Sequence, residues 1–551
     1  MSQIEARVGA AAPSATMVSS HRMLRLRDWI TGIGICALAI GLTAYQLGAR
    51  PLWNDEAWTA WIGLSVVDFH GLLNQIQVRA FNMSLYYAII FAWVHFWGAH
   101  GVLSTEWIVR LPSLVFAALS AVAVWLIGRR FLGGFAGALG AVLYVCNIAQ
   151  LDAAQQARSY PLLLLLVCLS WYALLVLVSS PSSHLWWVVY VVTNVLANYA
   201  HILNALDIMA QAAAFGLFLS LDTVWRARAR ALWKGMLLSL VVIGVLAIPL
   251  LWLMVHQNNQ SDYLGSPHVS DLLHLFVGYV AGSSSVARAL VVLCVLVGLV
   301  AVLSDRFPQM MPALGRWRNP RGGQEAARAA PPAAAPLAVA LACWLLGSVF
   351  LAFVIARSSS AHLFSARYEV FVVPALCLLV ALGVSLLRQR WARAALTLGV
   401  LAVALVQLPL FYARPPLQDL RTTTHWLTQN YCSGDGMVCQ FSSLFPQCRD
   451  FIFTYYLYYY HAGAIDAGAI TAPADAASLQ ATATYAQTHA RLFFVAGNFG
   501  NAADAAKAAA TQCWLDSHYA LIAQSTSLGS SVRLYATGFV STKSGGSCPT
   551  P

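Results

Sequence analysis

Two adjacent carboxylates, Asp55 and Glu56, stand between tryptophans in the segment Trp53-Asn54-Asp55-Glu56-Ala57-Trp58. They follow an apolar run over about residues 29–48, long enough to cross a bilayer. Tryptophan suits the layer where headgroups meet water. An acid pair there is costly unless it binds something or moves a proton. The competing reading is a solvated helix start, with the acids favoured by the helix dipole. Apolar flanks and paired tryptophans argue for chemistry, on the side of the membrane that the first span exits to.

The rest of the chain explains how such a pair could be held. Of 551 residues, 59% are hydrophobic and 10% charged. Soluble domains carry about 25% charged residues, so this is a polytopic α-helical membrane protein. The net charge of +11 invites a nucleic-acid reading. The basic residues instead cluster in short loops between apolar runs, which excludes nucleic acid as a partner and gives the bilayer that place.

Residues 1–28 carry Arg22, Arg25 and Arg27 just before the first span, which sets the N-terminus in the cytoplasm. About eleven spans are expected, near residues 29–48, 111–128, 131–149, 161–180, 185–200, 203–221, 235–255, 287–304, 337–356, 370–387 and 395–412. Ser84–Ala99 is apolar and aromatic but short, and reads as a helix lying in the interface of the first outer loop. Asp152, Gln155, Gln156 and Arg158 fall in a short outer loop. Asp207 falls inside the sixth span, and His362 and Glu369 lie beside Arg367 without an assigned role. In this arrangement roughly 18 of the 32 basic residues are inside and about seven are in outer loops. The charge asymmetry supports the orientation.

The chain divides into a segment 1–28, a membrane domain 29–412 and an extracytoplasmic domain 413–551. The tail is less apolar, with strands expected at Gly436–Cys439 and Arg491–Val495 and a helix at Ala502–Cys513. A small α/β domain follows. It holds Cys432, Cys439, Cys448, Cys513 and Cys548, and an oxidising compartment favours disulfides among them. Five cysteines leave one over, and the pairing is open.

Ordered motifs run along residues 29–390. Asn54-Asp55-Glu56 is followed by Leu85-Tyr86-Tyr87, then Arg110-Leu111-Pro112-Ser113 and Gly128-Arg129-Arg130-Phe131. Gln156-Ala157-Arg158-Ser159-Tyr160, Asn198-Tyr199-Ala200-His201 and Ala366-Arg367-Tyr368 come next. In this order the chain resembles the membrane-embedded GT-C glycosyltransferases, namely the bacterial relatives of protein O-mannosyltransferases and aminoarabinose transferases. Two departures stand out. Gln156 replaces a frequent Glu, and Asn82-Met83-Ser84 replaces a frequent His-Pro-Pro.

The resemblance implies a GT-C fold and a sugar donor carried on polyprenyl phosphate. It implies transfer to a hydroxyl of a protein, a lipid or an envelope glycan at the outer face of a bacterial cytoplasmic membrane. Inverting displacement needs one base for the acceptor hydroxyl and cations for the leaving phosphate. Asp55 is then the base, and Glu56 positions the acceptor or shares a proton. Arg158 and Arg367 grip the donor phosphate, since a guanidinium binds two phosphate oxygens. Tyr160 and Tyr368 orient the head group. His201, Arg110 and Tyr86 are further substrate-contact candidates, against the ordinary roles of packing and interface anchoring.

Some relatives are thought to use a divalent cation near the acids. Here Asp55, Glu56, Asp152 and His201 are scattered and form no compact ligand motif, so no metal or other cofactor is assigned. A flippase of lipid-linked sugars and a non-catalytic envelope assembly protein are the alternatives. Polar residues gathered at outer span ends, with no visible internal repeat, favour an enzyme.

Overall fold

A computed structural model describes residues 15–79, 81–99, 105–179, 184–219, 223–256, 266–272, 274–275, 292, 295–296, 334–359, 364–365, 367–387, 389–441, 448, 450–460, 470–471, 476–499 and 501–538. Nearly all of the expected eighth span and of the inner loop 305–335 lies outside these residues, as do His362 and Cys548.

The first part of the chain is helical. α1 (Ala15–Ala44) is followed by α2 (Asn54–Ser65), α3 (Phe69–Arg79), α4 (Ser84–Ala99) and α5 (Glu106–Phe131). Then come α6 (Gly134–Val145), α7 (Ile148–Ala154), α8 (Tyr160–Ser179), α9 (His184–Ala200), α10 (Asn204–Phe218) and α11 (Thr223–His256). Seven helices of the described residues are long and apolar enough to cross a membrane. Among them are Leu337–Ser358, Tyr368–Ser385 and Arg390–Tyr412. The expected fifth and sixth spans, α9 and α10, have 17 and 15 residues and fall short of that length.

The expected third span is bent. α6 and α7 meet at 61°. Asn147 causes the break: its side chain accepts hydrogen bonds from Ala149 N and Gln150 N and so restarts a helix in a new direction. Asp152 therefore sits in α7, not in the outer loop where the sequence placed it, and the loop shrinks to residues 155–159.

Helices that are apolar all round go inside. α5, α8 and Tyr368–Ser385 form the interior, while α1, α11 and Arg390–Tyr412 expose most of their surface. α5 and α6 pack with backbones nearly touching: a Cβ on Gly128 would lie 2.6 Å from Gly137 Cα. At this end Arg129 pairs with Asp28 and Arg130 donates to Tyr172 Oη, which ties the basic end of α5 to α1 and α8. The candidate site is at the other end.

Beyond Tyr412 the described chain builds a five-stranded sheet with order β2-β1-β3-β5-β4. β1 (Gly436–Gln440) runs parallel to β2 (Ile470–Thr471) and β3 (Arg491–Gly497). β4 (Ala520–Ser527) and β5 (Ser530–Ala536) add an antiparallel hairpin. Helices Leu420–Asn430, Phe451–Tyr459, Ala476–Ala486 and Ala502–His518 accompany the sheet. Cys439 and Cys448 form a disulfide, Cys513 is also disulfide-bonded, and Cys432 is free and exposed.

Candidate active site

Asp55 and Glu56 occupy the first turn of α2. Consecutive helical residues point about 100° apart, so the two acids serve different faces. Glu56 turns inward. Its side chain is 1% exposed and that of its partner Arg110 4%. Arg110 Nε and Nη2 donate to Glu56 Oε1 and Oε2, both at 2.8 Å. Arg110 also donates to the carbonyls of Leu47, Arg50 and Pro51 at 2.6, 2.9 and 3.2 Å. All five guanidinium protons are thereby used. Glu56 Oε1 accepts a further bond from Ala157 N at 2.8 Å. The pair knots α2, α5, the loop before α2 and the loop before α8. Glu56, expected beside Asp55 in the chemistry, and Arg110, expected as a substrate contact, are both bonded into this knot.

Asp55 turns outward, with its side chain 31% exposed. Its Oδ2 lies 3.1 Å from Arg367 Nη1 and 3.6 Å from Arg158 Nη2. Oδ1 carries no hydrogen bond among the described residues. Three expected residues, 55, 158 and 367, thus converge from three distant parts of the chain. Burial works against the Arg158 charge, but the Asp55 carboxylate together with Tyr160 and Tyr87 more than offsets that and keeps the guanidinium protonated. Arg367 lies over the Trp53 ring, 4.5 Å from its centroid, in cation–π contact. This gives the first tryptophan of the acidic segment a role.

Tyr160, His201 and Tyr368 line up behind Arg158. Ring centroids are 5.7 Å apart for Tyr160 and His201 and 5.8 Å for His201 and Tyr368. Tyr368 opens a 3-10 segment, Tyr368–Val372. A π-helical turn at Cys343–Gly347 fixes that segment. From it Trp344 donates to Phe371 O at 2.9 Å and stacks on Trp171 at 5.3 Å. Tyr86 does not face the site. Its hydroxyl bonds Ser113 Oγ at 2.7 Å, and Ser113 donates to Arg158 O at 3.2 Å, so Tyr86 supports the loop that carries Arg158.

His201 Nδ1 accepts from Leu203 N at 3.3 Å. Burial, with the Arg158 charge nearby, pushes the imidazole down to about 3. An unfolded histidine titrates near 6.5. Between those values the unfolded chain binds a proton that the fold excludes, so stability falls as pH falls from 6.5 toward 3. At pH 5 the cost is roughly 2 kcal/mol. A His201→Gln variant is expected to lose less stability than wild type between pH 7 and pH 5, measured by thermal unfolding. Equal losses would mean that the imidazole is protonated in place.

Glu369 was not assigned from sequence, yet it is fully buried and neither carboxylate oxygen has a hydrogen-bond partner among the described residues. Ser159 Oγ is in the same condition. Buried polar groups are rarely left so. They flank Tyr368 and Arg158 in the chain. Asp207, by contrast, is satisfied inside the helices by Trp171 Nε1 at 2.9 Å and Gln211 Nε2 at 2.6 Å.

The described residues form two cavities. A polar cleft of about 240 Å³ is lined by Trp53, Glu56, Arg110, Asp152, Gln156 and Arg367 among others. An apolar cavity of about 420 Å³ lies between α3, α4, α9 and α11, lined by Phe69, Leu73, Leu85, Leu196 and Leu250 among others. Among the described residues no three His, Cys, Asp or Glu side chains gather as metal ligands, and the four scattered candidates do not converge.

No protein-family model matches the chain, and no curated protein matches its sequence. Solved structures do match. ArnT from Cupriavidus metallidurans in the apo state aligns with a TM-score of 0.56 at 13% identity, covering 94% of this chain and 100% of that one. ArnT from the same organism bound to undecaprenyl phosphate gives 0.49 at 14% identity, covering 92% and 98%. The arabinofuranosyltransferase AftD from Mycobacteria gives 0.49 at 14% identity, covering 94% of this chain and 40% of that one. At such identities the likeness to apo ArnT is one of fold, and it runs the length of both chains. The protein therefore has the GT-C fold of membrane glycosyltransferases.

Proposed function

We propose that the protein is a glycosyltransferase that moves a sugar from a polyprenyl-phosphate donor to a hydroxyl acceptor. The observation that carries this reading is the convergence of Arg158 and Arg367 on one oxygen of Asp55. A carboxylate with a free oxygen beside two guanidinium groups is what inverting displacement on a phosphate-activated sugar requires. Asp55 holds the two guanidinium groups where a phosphate would place them. When the donor's phosphate takes over the arginines, Asp55 is released to accept the proton of the acceptor hydroxyl. The oxygen attacks the anomeric carbon, the carbon–oxygen bond to phosphate breaks, and the arginines hold the departing phosphate.

Tyr160, His201 and Tyr368 form a wall for the head group, and the apolar cavity beside α4 suits part of the isoprenoid tail. About eleven spans fill residues 29–412, with the N-terminus cytoplasmic. Residues 413–551 form an α/β domain on the outer side of a bacterial cytoplasmic membrane, above the site. Charge supports this orientation: Arg129 and Arg130 close α5 at the end away from Arg110.

The test is transfer of labelled sugar from defined polyprenyl-phosphate donors to a total envelope extract by the purified protein. Arg367→Ala is expected to raise the donor KM about 10- to 100-fold, the worth of one or two charge-assisted hydrogen bonds. An unchanged KM would remove Arg367 from the phosphate site. Absence of transfer while the donor still binds would overturn the enzyme in favour of a flippase.

A further inference from the structure

Helix α2 lacks a cap of its own. Trp53 holds the N-cap position and has no side-chain cap hydrogen bond. The backbone N–H of Asn54 is satisfied from far away in the chain, by Gln418 Oε1 at 3.1 Å. The Asn54 side chain is held as well: its Oδ1 accepts from Asn498 Nδ2 at 3.2 Å. Gln418 Nε2 donates to Asn498 Oδ1 at 3.0 Å, which closes a ring of three amides around the residue before Asp55.

Asn498 is fully committed. Its Nδ2 also donates to Asp450 Oδ2 at 2.6 Å. A carboxylate only accepts, so this contact fixes which end of the amide faces Asp450 and hence which end faces Gln418. Asp450 in turn caps the helix Phe451–Tyr459, accepting from Ile452 N and Phe453 N at 2.9 and 3.0 Å. That helix presents Tyr456, whose hydroxyl accepts from Leu52 N at 2.7 Å. Leu52 and Asn54, on either side of Trp53, are therefore gripped by one rigid unit. Asn498 has φ 49°, a left-handed conformation that asparagine tolerates better than most residues, placed just past β3.

We infer that Asn498 and Gln418 are positioning residues for Asp55, so that the chain beyond the last apolar helix completes the active site. This rests on the reading of Asp55 as the base. Asp55 follows Asn54 directly, and its backbone direction is set by the clamp. Arg158 and Arg367 reach Asp55 from segments that join the membrane helices, whereas the clamp comes from the chain beyond Tyr412. The base is thus held between the two halves of the molecule. Misplacing a reacting group by about 1 Å costs up to roughly 100-fold in rate.

The experiment uses the full-length protein in the transfer assay, with kcat and donor KM measured separately. Asn498→Gly removes the amide while glycine keeps the left-handed backbone without strain. It is expected to lower kcat about 10- to 100-fold and to leave donor KM within about two-fold, because the phosphate ligands are untouched. Asn54→Ala is expected to do the same, and the double variant no worse than either single one. Gln418→Ala, outside the sheet, gives the same readout should Asn498→Gly fail to fold. Unchanged kcat in a folded Asn498→Gly, or additive losses in the double variant, would overturn the inference. Asp55→Asn separates the two readings. If it is inactive while Asn498→Gly is fully active, only the positioning role falls; if it is fully active, the base assignment falls first.

Discussion

Asp55→Asn is expected to lower kcat by about 10²–10⁴-fold, the range for loss of a general base, while donor KM stays level or falls. The second half of that expectation comes from the geometry. Asp55 Oδ2 pairs with Arg158 and Arg367, so it competes with the donor phosphate for them. Asparagine is neutral and gives up that competition. A lower kcat with a lower KM marks a group that is held back in the ground state and needed in the transition state. The opposite pattern, a raised KM with kcat intact, would mean that Asp55 serves only to hold the arginines apart before binding. Kinetics with a fixed acceptor and varied donor reads the two apart.

Much of this site was legible in the sequence for one reason. Arg158, Tyr160, His201, Arg367 and Tyr368 all sit where apolar runs end, and runs that end on one side of a membrane bring their ends together. Nothing in that argument distinguishes neighbours. Asp55 and Glu56 read as one acidic pair, and only the turn of α2 gives one to Arg158 and Arg367 and the other to Arg110. Arg110 is 54 residues from Glu56, and no spacing links them. Asn147 does carry a local signal, since asparagine before an apolar helix is a good cap, but the run 131–149 looked continuous and hid the bend. Asn498 and Gln418 carry none: an isolated amide in a polar tail is ordinary until the tail is folded onto the loop before Asp55. Of the five described strands of the tail, β1 and β3 were readable because their apolar and aromatic content is local, whereas β2, β4 and β5 and what the sheet touches were not.

The Glu56–Arg110 knot carries the largest expected effect on stability. Each charge was taken out of water, and each is compensated by the other and by backbone groups at 2.6–3.2 Å. Removing one partner leaves the other buried and unpaired, which costs about 3–5 kcal/mol. Arg110→Met is expected at the upper end, because the carbonyls of Leu47, Arg50 and Pro51 lose their donor together with Glu56. Glu56→Ala should cost less, since Arg110 keeps those three carbonyls. Combining Arg110→Met with Glu56→Met should destabilise less than the sum of the single changes, because no charge then remains stranded. Thermal unfolding of the purified variants measures this directly. The same series separates the two acids functionally. A Glu56→Ala protein assayed below its unfolding temperature should keep a substantial part of its turnover, because Glu56 has no free oxygen for an acceptor and acts by holding the turn that presents Asp55. A loss of turnover equal to that of Asp55→Asn, with wild-type stability, would return Glu56 to the chemistry and leave the bonds from Arg110 without a function.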